Sequence, residues 1–186
     1  VDLTEAFASV AGSSSARLKR IDLHGLEFDG KPFFSSRCCS ELREAAFSGM
    51  PLSEKPIVAL AENAGRSLSS VALVGESCSF AATLLERCHS IKCLELWSAT
   101  THDLEQIGKH SRALLEDVFV SFKYSSCGSG ILPALKETIK LQLHGQMSAD
   151  FIKAVVKNCP KLIDLTIPSG LLSHFIPKHI AITTSW

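Results

Sequence analysis

The stretch that decides the fold is Leu162-Ile163-Asp164-Leu165-Thr166-Ile167, an L-x-x-L-x-L phrase late in a chain of 186 residues. The same spacing recurs at Thr138/Leu141/Leu143, Leu115/Val118/Val120, Ile91/Leu94/Leu96, Leu68/Val71/Leu73, Leu42/Ala45/Phe47 and Leu18/Ile21/Leu23. From the first copy onward the starts lie 24, 26, 23, 24, 23 and 24 residues apart. Twenty of these 21 positions are apolar, Thr138 being the exception, in a chain that is 46% hydrophobic. Chance would fill only about half of them, so the phrase is a repeat.

Two columns outside the phrase keep its register. Seven places after the start stand Gly25, Gly49, Gly75 and Gly145, where glycine suits a strand that must turn away with positive φ. Three places before the start stand Cys39, Cys88 and Cys159, marking a small, buried, weakly polar position. Helical segments separate the phrases. Ser148 to Asn158 opens on a Ser or Asp cap, sets Phe151, Ile152, Val155 and Val156 on one face, and stops before Pro160. Ser79 to Arg87, His102 to His110 and Pro56 to Ala64 read the same way. The segments after Leu26 and after Ser125 are less regular and predict a 3₁₀ turn or loop.

A strand of about five residues cannot bury its apolar side alone. Stacking the copies at the roughly 4.8 Å strand spacing pairs each backbone with its neighbours and builds one continuous core. The stretch Phe151 to Ile167, with Leu85 to Leu96 as a second match, resembles the leucine-rich repeats of the cysteine-containing, ribonuclease-inhibitor-like class, as in the substrate-binding arms of F-box proteins. The resemblance covers roughly residues 15 to 186, and the copy at Leu42 departs from it with Ala45 and Phe47. It implies an α/β leucine-rich-repeat solenoid of about seven repeats of 23–26 residues, with a parallel sheet on the concave face and helices on the convex face. Residues 1–17 (Leu3, Ala6, Phe7, Val10) read as an N-terminal helical cap, 18–176 as the repeat array, and 177–186 as a short closing strand or cap. The phrase returns there as Pro177/Ile180/Ile182. Trp186, falling where a further copy would begin, offers an alternative in which the array runs on.

Composition narrows the function. Lys+Arg and Asp+Glu are 19 each, so phosphate neutralisation along a nucleic acid is not expected. No apolar run approaches the roughly 18 residues of a membrane span. The chain opens at Val1 and not Met, as a trimmed or partial chain would. Seven cysteines are an odd number, and neither Asn63 nor Asn158 sits in a glycosylation sequon. Both point to an intracellular, reducing compartment, cytoplasmic or nuclear, with the mitochondrial matrix as the alternative.

Catalytic and metal chemistry find little support. Cys88-His89 with Cys93, Cys38-Cys39, and His174 with His179 lack the second ligand pair a zinc site needs. Gly75-Glu76-Ser77-Cys78-Ser79 lacks the closing glycine of a nucleophile elbow, and Cys127-Gly128-Ser129-Gly130 lacks the lysine of a phosphate loop. Glu116-Asp117 reads as solvated and His102-Asp103 as a helix cap. No enzyme activity and no cofactor are expected. The positions two, four and six places after each start alternate away from the core and form the concave surface. In its centre stand Val74, Trp97 and Phe119, flanked by Glu95, Asp117, Lys140 and His144. An apolar centre with a charged rim is the composition of a protein interface. The chain therefore reads as a non-catalytic interaction module of adaptor or recognition-arm type, its partner another protein. A loop or terminus of the same chain covering Trp97 is the competing account of these aromatics. The alternative function is a structural accessory subunit of a large, multi-subunit assembly, resembling the small leucine-rich-repeat proteins of mitochondrial respiratory complexes.

Overall fold

The computed structural model describes residues 17–25, 30–49, 53–123, 128–169 and 176–185. The expected N-terminal cap, His174, Cys127 and Trp186 lie outside them, save Arg17. Eight parallel strands follow one another across a single sheet in chain order: β1 (Arg20–His24), β2 (Glu44–Ser48), β3 (Ser70–Val74), β4 (Cys93–Ala99), β5 (Asp117–Phe122), β6 (Lys140–His144), β7 (Asp164–Pro168) and β8 (Ala181–Ser185). The fold is thus α/β with one sheet and no crossover past a neighbouring strand.

The repeat register is the register of the sheet. Ile21 pairs with Ala45, Ala45 with Val71, Val71 with Leu94, Leu94 with Val118, Val118 with Leu141, and Leu141 with Leu165. The backbone repeats as well. The carbonyl one place after each of the first six starts accepts two N–H groups at the head of the next strand, as Lys92 does from Glu116 and Asp117 at 2.8 and 3.1 Å, and Ile163 after the seventh accepts that of Ala181. Both inward positions of β1 to β7 are buried in every copy. Thr138 explains its own exception: it is fully buried, and its hydroxyl donates to the Leu115 carbonyl of the preceding copy at 3.1 Å. A buried hydroxyl with a partner costs little, whereas one without costs about 1–3 kcal/mol.

Between the strands run α1 (Lys31–Phe34), α2 (Glu54–Ala64), α3 (Ala81–Arg87), α4 (Thr101–His110) and α5 (Ala149–Asn158). α5 starts at Ser148, whose hydroxyl accepts the Phe151 N–H at 3.1 Å. α4 starts with a capping box in which Thr100 and Asp103 hold each other's backbone N–H groups. Asp103 is therefore a cap. The segments read as irregular contain a single α-helical turn followed by a 3₁₀ turn at Arg37–Cys39, and a 3₁₀ stretch at Gly128–Leu135. Another 3₁₀ turn at Gly75–Phe80 occupies the start of what the sequence read as a helix from Ser79. Cys39, Cys88 and Cys159 each sit in the turn before a strand, where their carbonyls accept the N–H of Leu42, Ile91 and Leu162. All three are buried.

The last strand departs from expectation. The reading from sequence made Ile180 and Ile182 the inward pair of a shortened strand. In the structure Leu165 lies beside Ile182 and Ile167 beside Thr184, a shift of two residues, and β8 is as long as β7. Ile180 is buried just ahead of the strand, while Ile182 is exposed. An Ile-x-Ile alternation has the same parity in both registers, so the sequence pattern alone does not separate them.

Candidate functional site

A parallel sheet normally has both faces covered. Here the outward positions of β1 to β7 are exposed or half-buried, whereas their inward positions are enclosed. Among the described residues this face of the sheet is left open. The seven residues singled out from the sequence, Val74, Glu95, Trp97, Asp117, Phe119, Lys140 and His144, all lie on it, in β3 to β6. All but Val74 line one depression of ≈ 570 Å³, together with Ser70, Cys93 and Gln142. Val74 stands beside Trp97 at its edge.

Three rings form the centre. The Trp97 and Phe119 centroids are 4.2 Å apart with planes at 34°, and Phe119 and His144 are 5.0 Å apart at 36°. The stack does not follow a single row across the sheet. Phe119 pairs in register with Glu95 and Gln142, while the residue beside His144 is Ser121. Ser121 is too small to fill its row, which leaves Phe119 room between the indole and the imidazole. Trp97 keeps 43% of its surface exposed. Among the described residues no loop or terminus covers it, and residues 1–16, on which the competing account could draw, lie outside them.

Trp97 also owes its pose to the backbone. The register of β4 with β5 shifts between Leu96 and Ala99, and Ser98 in that bulge has φ of 64°. Ser98 stands seven places after Ile91, in the column that holds Gly25, Gly49, Gly75 and Gly145, all with φ between 59° and 114°. Four copies thus make a left-handed turn here with glycine and a fifth with serine, while Phe122 and Ser169 fill the position in the other two without that turn. Bulges of this sort re-aim side chains. The shape of this site therefore depends on Ser98 and Ser121, which the sequence reading did not single out.

The rim is charged. Glu95 accepts the Trp97 indole N–H at 3.4 Å, and Lys140 Nζ lies 3.7 Å from Asp117. The exposed Cys93 thiol is pushed above its ordinary range by partial burial first, then by Asp117, Glu116 and Glu95. The other described cysteines are buried free thiols. Burial pushes Cys88 and Cys159 up to about 11 and Cys78 up to about 12. Burial together with the neighbouring Cys38 sulfur, at 3.7 Å, pushes Cys39 up to about 12. Thiols held protonated in this way are poor nucleophiles. Cys88 and Cys93 lie on opposite sides of the sheet. Among the described residues no three His, Cys, Asp or Glu side chains converge on a point where a metal ion could bind. No helix among them is long and apolar enough to cross a membrane. Comparison with protein-family models and with curated proteins gave no match.

Proposed function

We propose that the chain is a leucine-rich-repeat solenoid of the ribonuclease-inhibitor-like class and that it serves as a non-catalytic interaction module. One strand register shared by seven copies, a left-handed turn made at the same place in five of them and a buried thiol in three support the fold reading. The open sheet face is then the concave, partner-binding surface. The observation that carries the function is the Trp97–Phe119–His144 stack, an aromatic cluster of adjacent strands left partly in water. Exposed aromatics of this size have little reason to persist unless a partner covers them, and such anchors commonly cost more than about 2 kcal/mol of binding when truncated.

The test is a Trp97→Ala/Phe119→Ala variant, compared with the native sequence for thermal midpoint and for partner recovery from the native source. An unchanged midpoint with recovery reduced more than about 30-fold is the expected outcome. Undiminished recovery by a folded variant rejects the open face as the binding surface. Unfolding of the variant means that the rings serve the fold of this chain.

A second reading, that of a structural subunit held in a larger assembly, draws support from Leu114, Ile139 and Ile163. They are 63%, 41% and 58% exposed, and Ile139 and Ile163 stand just ahead of neighbouring strands. On that reading the isolated chain self-associates during size exclusion, and charged replacements at these three positions return it to a monomer.

A further inference from the structure

We infer that the depression around Trp97 and Phe119 receives an arginine-bearing basic segment of the partner protein. The inference rests on the open-face reading above and adds the chemistry of what binds there.

Charge is the first argument. The whole chain balances 19 cations against 19 carboxylates, but the open face does not. The outward positions of β1 to β7 carry Asp22, Glu44, Glu95, Asp117 and Asp164 against Arg20 and Lys140. Arg20 is engaged by Glu44 at 3.4 Å. Lys140 is shared, with Asp117 on one side at 3.7 Å and Asp164 beside it on the other strand. Glu95 forms no ion pair among the described residues and holds only the Trp97 indole N–H. The surplus on the face is therefore negative, and Glu95, the carboxylate against the indole, brings part of it to the rings. The Cys93 thiol, raised first by partial burial, is pushed up further by Asp117, Glu116 and Glu95. Such a surface repels nucleic acid and anionic lipid and draws in a cation.

Ring geometry narrows the cation. Phe119 stacks on one face of the Trp97 indole at 4.2 Å, which leaves a cation the opposite face, beside the Glu95 carboxylate. A cation over such a face within about 6 Å of the ring centroid is held by the ring quadrupole, best by tryptophan. Guanidinium is flat and weakly hydrated, so it stacks on the ring while its edge N–H groups meet a carboxylate in a fork. Glu95 stands at the edge of the indole, where that fork would point. An ammonium would be held there as a point charge only.

The test uses the full chain and a short fluorescein-labelled peptide of alternating arginine and glycine, read by fluorescence anisotropy at low ionic strength. Its counterpart, with citrulline for arginine, keeps the shape and loses the charge. Saturable binding of the arginine peptide is expected, with the citrulline peptide much weaker. Glu95→Gln/Asp117→Asn weakens it by about tenfold, and Trp97→Ala by roughly three- to thirtyfold. Asp22→Asn/Glu44→Gln removes the same charge elsewhere on the same face and changes binding by less than about twofold, within the scatter of exposed pairs. Equal binding of the citrulline peptide, no saturable binding of the arginine peptide, or equal loss in the two charge variants overturns the inference. If partner recovery depends on Trp97 while the arginine peptide is ignored, the basic class is wrong and the open face stands. Recovery indifferent to Trp97 and Phe119 removes the open face itself.

Discussion

Replacing Ser98 by glycine should stabilise this protein, and the reverse change at Gly75 should destabilise it. The two positions are equivalent, each seven places after a repeat start, with φ of 64° and 66°. A side chain bearing Cβ in the left-handed region costs about 1–2 kcal/mol. Glycine avoids that cost but loses about 0.5–1 kcal/mol more backbone freedom on folding. The difference leaves Ser98→Gly ahead by about 0.5–1 kcal/mol and Gly75→Ser behind by a similar amount. Steric terms do not confuse the comparison at Gly75, because a Cβ built there meets no atom within 4 Å. Urea titrations of the native sequence and both variants, followed by circular dichroism, measure the two shifts. If the slopes stay equal and the midpoints move in opposite directions, the turn column is present in solution. A destabilised Ser98→Gly refutes the reasoning and means that the serine makes a compensating contact. A neutral Gly75→Ser means that the turn there is not left-handed.

Two further outcomes test the packing. Leu94→Ala and Leu141→Ala, at fully enclosed positions of interior strands, each lower stability by about 2–5 kcal/mol, whereas Lys157→Ala on the exposed side of α5 stays within about 0.5 kcal/mol; the reverse order in denaturant would displace the repeat register. The buried thiols predict an alkaline limit. Cys88 and Cys159 are raised from 9.0 to about 11, so their contribution is complete below pH 9 and is lost as pH rises towards 11, because there only the unfolded chain ionises. The urea midpoint should fall across that window, and a Cys88→Ala/Cys159→Ala variant should show a shallower fall; parallel curves would mean that these sulfurs are not enclosed.

Most of the architecture is carried by short-range pattern, which is why it is legible before any coordinates. A three-residue apolar phrase recurring every two dozen residues names the inward positions, and parity then assigns the outward ones, so Trp97, Phe119 and His144 fall on one face. What escapes is whatever parity leaves undetermined. Ile180 and Ile182 satisfy the alternation in two registers, and pairing with Leu165 selects the second. The diagonal stacking of Phe119 between Trp97 and His144 depends on the smallness of Ser121 and the bulge at Ser98, neither of which an apolar pattern records. The acidity of the face, by contrast, is within reach of parity, which places Asp22, Glu44, Glu95, Asp117 and Asp164 outward against Arg20 and Lys140 even though the totals over the chain balance.

The alternation along each strand has a consequence for how such a protein can change over time. Inward and outward residues are immediate neighbours in the chain, yet they answer to different demands, since Leu94 and Leu96 are enclosed while Glu95 and Trp97 look outward. A substitution at an outward position leaves the packing of the two beside it untouched. The open face can therefore be rewritten one strand at a time while the enclosed positions are inherited intact. Diversity on one face and constancy on the other are built into the same five-residue strand.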